Sequence, residues 1–152
     1  ALAYMGIGVL EDVDGKHQIA QEYFKKSLTI DKSSVKALLN MGYSHYMYGN
    51  YKEAYQYTRS ALELEPNNEK AQNNLALIYL ASGDIKKATN VFMRHMEAPE
   101  ALNNVGYFLI LQGKPDQAVP YLQQAIDKKS SYYKVANENL NRALAEVREM
   151  EQ

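Results

Sequence analysis

Three series of small residues run in step through this 152-residue chain. Glycines stand at Gly15, Gly49, Gly83 and Gly113, and alanines at Ala20, Ala54, Ala88 and Ala118. A third series, Gly8, Gly42, Ala76 and Gly106, precedes the first by a constant interval. All three advance by 34, 34 and then 30 residues. A shared irregular step in three markers is the mark of one supersecondary unit used four times. The cleanest copy is residues 35–68, broken once at Gly49-Asn50 and closed at Pro66.

Each marker has a physical role. Apolar or small residues recur at helical spacing on both sides of the break: Leu38, Met41, Gly42 and His45, then Ala54, Tyr57, Ala61 and Leu62. The mid-helix small residue lets a partner helix approach closely. The glycine at the break supplies the left-handed residue that ends one helix. Asn50 and Asp84 follow as helix starts. The unit is therefore a helix–turn–helix, and the chain is all-α.

These marks resemble the tetratricopeptide repeat. They are Leu38, Met41-Gly42, Ala54, Ala61 and Pro66 in the second copy; Tyr4, Ile7-Gly8, Ala20 and Phe24 in the first; Leu75-Ala76, Tyr79, Ala88 and Phe92 in the third; and Leu102, Val105-Gly106, Ala118, Leu122 and Ala125 in the fourth. The resemblance implies a right-handed α-solenoid forming a single domain over 1–152, with repeats at about 1–34, 35–68, 69–98 and 99–131. Residues 132–150 follow with one apolar face (Val135, Ala136, Leu140, Ala143, Leu144 and Val147), which reads as a capping helix.

Two departures carry expectations. The 30-residue step predicts a shortened second helix in the third repeat, with His95 at a position that is small in the other copies. Pro120, five residues after Pro115, predicts a bend or a late helix start.

Composition excludes much. Seventeen basic and 18 acidic residues nearly cancel, which gives no footing for nucleic acid. Without cysteine there is no disulfide, thiolate metal site or thiol nucleophile. No apolar run is long enough to span a bilayer, so no membrane contact is expected of this chain. Helical pattern starts at residue 1 without a matching cap, and further chain upstream is expected, a targeting segment included. His17, His45 and His95 stand apart without metal-ligand spacing, and no phosphate loop or nucleophile elbow occurs. His45 reads as a satisfied, partly buried histidine. No catalysis, metal or cofactor is expected.

The resemblance also implies a concave groove lined by the first helix of each repeat. By register its walls are Met5, Val9, Asp12 and Val13; Lys36, Leu39, Tyr43, Tyr46 and Met47; Lys70, Asn73, Leu77 and Leu80; Glu100, Asn103, Tyr107, Ile110 and Leu111; and Lys134, Asn137 and Asn141. The chaperone-binding members clamp a C-terminal carboxylate with lysine and asparagine. Met5 and Val9 occupy the matching first-repeat positions, so that clamp is absent here. Apolar walls edged with amides suit a peptide or partner helix with several hydrophobic anchors. Asn40, Asn74 and Asn104 read as structural, and Tyr23, Tyr51, Tyr55 and Tyr57 as packing between helices. For Tyr43, Tyr46 and Tyr107, ligand wall and stack filler both stay open. The groove could equally receive the chain's own upstream segment or a second copy.

The C-terminal third, through Asn103-Asn104-Val105-Gly106-Tyr107, Gln112-Gly113 and Asn137-Glu138-Asn139-Leu140, resembles the repeat protein of the bacterial tight-adherence (Flp, type IVb) pilus assembly system. That resemblance implies an outer-membrane lipoprotein facing the periplasm, anchored upstream, which assists assembly of the secretin or other pilus machinery. The alternative is a generic cytoplasmic adaptor or secretion chaperone. A repeat domain belonging to a larger enzyme-associated chain comes third.

Overall fold

The computed structural model describes residues 2–13, 15–31 and 34–152. Among these there are nine α-helices and no strand: α1 (Leu2–Val13), α2 (His17–Ile30), α3 (Val35–Tyr48), α4 (Tyr51–Leu64), α5 (Glu69–Ala81), α6 (Ile85–Met93), α7 (Ala98–Leu111), α8 (Pro115–Lys128) and α9 (Lys134–Met150). Helices α1 and α2, α3 and α4, and α7 and α8 pack as hairpins, and α9 closes on α7 and α8, as expected of an α-solenoid of tetratricopeptide type.

The glycine markers act as their positions require. Gly49 adopts φ +93° and Gly83 φ +86°, and positive φ occurs among the described residues only at glycine. At the first of these turns the Gly49 N–H donates to Tyr46 O at 3.1 Å and the Asn50 N–H to His45 O at 2.8 Å. Those bonds satisfy carbonyls that the end of α3 would otherwise leave open. Asp84 caps α6 by accepting from the Lys87 N–H at 3.2 Å. Asn50 stands at the equivalent cap position of α4 without a side-chain bond. Two caps were not foreseen. Ser34 accepts from the Ala37 N–H at 3.2 Å and Asn68 from the Ala71 N–H at 3.0 Å.

The marker glycines inside the helices, Gly8, Gly42 and Gly106, stand at contacts too close for a Cβ. A Cβ on Gly42 would lie 2.6 Å from Thr58 Oγ1 and 3.2 Å from the Ala54 carbonyl oxygen. A Cβ on Gly106 would lie 2.4 Å from Leu122 Cγ.

The chain divides into two compact units, Ala1–Ile78 and Tyr79–Gln152, with the division inside α5. In the first, Met5, Ala20, Phe24, Ala37 and Met41 form one core cluster from α1, α2 and α3. Leu38, Leu39, Ala61 and Ala71 form a second. Tyr57 packs against both, as expected of a second-helix tyrosine. In the second unit, Phe92 stacks on Phe108 at 5.9 Å, and Leu102, Ala125 and Ala136 join α7, α8 and α9. Glu100 and Lys129 pair at 2.6 Å, with the ammonium 5.0 Å from the Tyr133 ring centre. The Lys129 hydrogen bond holds the Glu100 carboxyl below its usual range.

Helix α6 spans 9 residues where α2, α4 and α8 span 14, so the missing residues come out of the second helix as expected. His95 thus lies beyond the helix end and is exposed, free of the small-residue requirement. The Pro120 expectation of a late start is overturned: α8 begins at Pro115, where a proline suits the first turn. Pro120 and Asp116 are both exposed, so the carbonyl deprived of its N–H partner can be solvated. In α9, Ala136 and Ala143 are buried, but Val135 and Leu144 are exposed rather than part of the capping face.

His45 departs from expectation in another way. It is buried and stacks on Tyr57 at 5.5 Å, yet its Nδ1 has no hydrogen-bond partner. Burial pushes the imidazole below its usual value; Glu53 pulls it up and Lys25 adds to the lowering. The unfolded chain therefore takes up the proton first. Stability present above the ordinary histidine pKa of about 6.5 is lost as pH falls through that value toward the folded one. Titration from pH 7.5 to 5 should lower the melting temperature of the first unit. His45→Gln should flatten that slope, and an unchanged slope would assign the acid sensitivity to other groups.

Candidate functional site

The inner side of the first unit holds a groove of about 610 Å³. Its apolar wall comes from α1 and α3: Met5 and Val9 from the first, Val35 and Leu39 from the second. These positions follow from helical register, since Met5 and Val9 are four residues apart, as are Val35 and Leu39, so each pair shares a face. Gly6 and Leu10 continue the α1 side. Lys36 and Lys70 stand at the rim with Glu65 and Asn68, whose side chains hydrogen-bond to each other at 2.8 Å. Neither lysine forms a salt bridge with any described residue.

A second recess of about 260 Å³ adjoins the first, sharing Val9 and Asn40. Val13, Tyr43 and Met47 line it, with Phe24 beneath. Its polar edge is Asp12, whose Oδ1 pairs with His17 Nδ1 and accepts from Ser44 Oγ at 3.0 Å. His17 is thus not isolated. The Asp12 carboxylate is occupied by the protein itself, so an incoming ligand meets mainly hydrocarbon and ring surface here. The Tyr43 and Tyr46 rings lie 5.8 Å apart, and Tyr46 lies 6.0 Å from Tyr51, so these tyrosines run in series from the end of α3 to the start of α4.

The expected wall residues divide sharply. Met5, Val9, Leu39, Tyr43 and Met47 come together on the two recesses, with Lys36, Lys70, Asp12 and Val13 around them. Asn73 is exposed and Leu77 half-buried on α5, but neither lines those recesses. Several residues expected as exposed wall are core instead. Leu80 is fully buried, with its carbonyl accepting from Lys114 Nζ at 3.0 Å, and Ile110 is 4% exposed. Asn103 is 7% exposed and accepts from Asn139 Nδ2 at 3.0 Å, because α9 packs over that part of α7. Asn137 donates to the Tyr133 carbonyl at 2.8 Å, stitching the start of its own helix. Met5 and Leu39 are also largely buried, showing the groove only an edge. Tyr107 and Leu111 are exposed on α7, with Tyr107 edge-on to Phe108 at 5.4 Å.

Gly6, Leu10, Val35 and Asn40 were missed as lining residues. Gly6 and Asn40 share one repeat position, and that coincidence was the available signal. Asn104 in the same series donates to Met96 Sδ at 3.3 Å, in keeping with its structural reading. Among the described residues no group of three or more acidic or histidine side chains could hold a metal ion. No described helix is long and apolar enough to cross a membrane.

Comparison with known proteins agrees with the repeat fold. Family profiles of the tetratricopeptide repeat match residues 45–99 and 100–129, together more than half the chain. Among solved structures, MamA superposes with a TM-score of 0.62 at 19% identity, covering 97% of this chain and 87% of that one. YrrB, described as a TPR protein with an unusual peptide-binding site, gives 0.60 at 20% identity, covering 93% and 75%. A tetratricopeptide repeat protein from Parabacteroides merdae gives 0.63 at 19% identity, covering 93% of this chain and 57% of that one. At these identities the likeness is one of fold. No curated protein sequence matches the chain.

Proposed function

We propose, from the premise that this chain is a tetratricopeptide repeat protein, that it is a non-catalytic scaffold whose first unit captures a peptide or helix of a partner protein. The observation that carries the reading is the convergence of Met5, Val9 and Leu39 with Tyr43 and Met47 on two adjoining recesses. Met47 is 51% and Tyr43 41% exposed. Tyrosine and methionine offer large contact area and adaptable packing, the chemistry of protein-binding hot spots. The peptide-binding site named for YrrB supports the same assignment.

Affinity should be moderate, about 1–10 μM or −7 to −8 kcal/mol, because a flexible ligand must be ordered on binding. The test uses peptides selected on the wild-type chain from a random displayed library. Tyr43→Ala with Met47→Ala should weaken them at least tenfold and leave the melting curve nearly unchanged. Equal binding to both proteins would remove the groove from the function, and loss of binding only through unfolding would make these side chains stack filler.

The finer proposal is a place in Flp-type pilus assembly, assisting the secretin or associated machinery. It is supported by the resemblance of the C-terminal third, from Asn103 to Leu140. The same resemblance leads us to propose an outer-membrane, periplasm-facing location through an upstream lipid anchor. Palmitate labelling and fractionation of the native full-length protein test both. An unlabelled protein in the cytoplasmic fraction sinks the pilus reading and leaves the adaptor reading standing.

A further inference from the structure

A row of tyrosine rings starts in the smaller recess of the first unit. Tyr43 lines that recess and is exposed. Its ring plane is tilted by 39° to that of Tyr46, and Tyr46 is tilted by 44° to Tyr51, which is 37% exposed. Rings stacked flat cover each other's faces, as His45 and Tyr57 do at 8°. Tilted rings do not, and wedge-shaped gaps open between them.

The polar groups around the recesses are one-sided. The carboxylates that line them are engaged within the protein, Asp12 by His17 and Ser44, and Glu65 by the Asn68 amide. The cations are not: Lys36 and Lys70 form no salt bridge with any described residue. The Tyr43 hydroxyl adds a further group able to donate. The surface therefore complements carbonyl oxygens better than N–H groups. An ordinary extended peptide brings one N–H with each carbonyl, and a helix keeps both inside itself. A proline brings a carbonyl and no N–H.

We infer, granted that the recesses are a peptide site, that the ligand is a proline-rich segment in the polyproline II conformation. It lies across the Tyr43–Tyr46–Tyr51 row with pyrrolidine rings in the gaps. Its carbonyls turn toward the Tyr43 hydroxyl and, where the chain continues over the larger recess, toward Lys36 and Lys70. Spacing agrees with this occupant. Polyproline II rises about 3.1 Å per residue, so two residues advance by about 6 Å. The successive ring intervals of the row are 5.8 and 6.0 Å. A rigid, apolar pyrrolidine against an aromatic wall is the packing by which such segments are recognised.

The probe is fluorescein-labelled decaproline, a polyproline II helix in water, titrated with the intact 152-residue chain while anisotropy is read. Saturable binding is expected, at least tenfold tighter than that of a glycine–serine peptide or an alanine-rich helical peptide of the same length. Tyr43→Leu with Tyr51→Leu should weaken it at least tenfold. Tyr43→Phe with Tyr51→Phe, which keeps both rings, should retain most of it. Both positions are exposed, and circular dichroism of each variant checks that the helices survive. Three outcomes overturn the inference: no saturable binding, equal binding of either control peptide, or a leucine pair that binds decaproline like the wild type. The groove itself is judged by the library peptides. Proline-free peptides captured through Tyr43 and Met47, with decaproline unbound, would sink the polyproline assignment alone. Failure to capture a peptide of any composition would remove the site on which it rests.

Discussion

Phe24→Ala should cost the first unit about 3–5 kcal/mol, the range for emptying a fully buried phenylalanine site. Phe24 has no exposed surface and stands at the meeting point of α1, α2 and α3, among Met5, Ala20, Ala37 and Met41. A Cβ on Gly8 would lie 2.6 Å from its Cε1, so α1 already rests directly on the ring. Collapse to fill the void is limited because α1 has no side chain at that contact to move inward. Phe24 also underlies the smaller recess, so its loss should loosen the groove as well as the core. Urea unfolding followed by hydrogen exchange in α1–α3 measures both. A loss below about 1 kcal/mol would mean that the hairpins close over the site, contrary to the cavity argument.

Gly106→Val is the second large effect, and it works by overfilling. The added branch would meet Leu122 at its Cγ, the branch point of a fully buried side chain. Neither helix can retreat without separating α7 from α8, so we expect a loss of about 2–3 kcal/mol in the second unit. Leu122→Ala alone should also destabilise, by about 2–5 kcal/mol. The double variant should lose at least about 1 kcal/mol less than the two losses added together, since each change offsets the other's fault. Strict additivity in that cycle would show that the two residues are not the pair that sets the approach of the helices.

The repeat and its turns were legible because they rest on residue types with few substitutes. Only glycine fits both a left-handed turn such as Gly49 and a contact such as that of Gly106 with Leu122. The shortened α6 was legible for the same reason, as an interval between such markers. The lining of the groove was half legible. Met5, Val9, Leu39, Tyr43 and Met47 do line adjoining recesses, because helical spacing fixes the face. It did not tell which inner positions a neighbouring helix would bury: Asn103 looked available until Asn139 was found against it. The Asp12–His17–Ser44 contact joins side chains from two hairpins, and no local pattern in the sequence announces it. Nor does helical spacing say that Val35 and Asn40 would share the groove with residues of α1.

The four turns have a consequence of a different order. All four turn glycines are exposed, and at none of them would an added Cβ meet a heavy atom within 4 Å. Volume therefore does not reserve these positions for glycine. Handedness does, since φ values from +77° to +93° are costly for L-residues and natural for their mirror images. A chemically synthesised chain with D-alanine at Gly49 or Gly83 should keep its fold and gain about 0.4–1 kcal/mol per site, because the unfolded chain loses freedom that the folded turn never used. L-alanine at the same site should destabilise. The two enantiomers differ by no atom, so the sign of the change between them measures chirality alone.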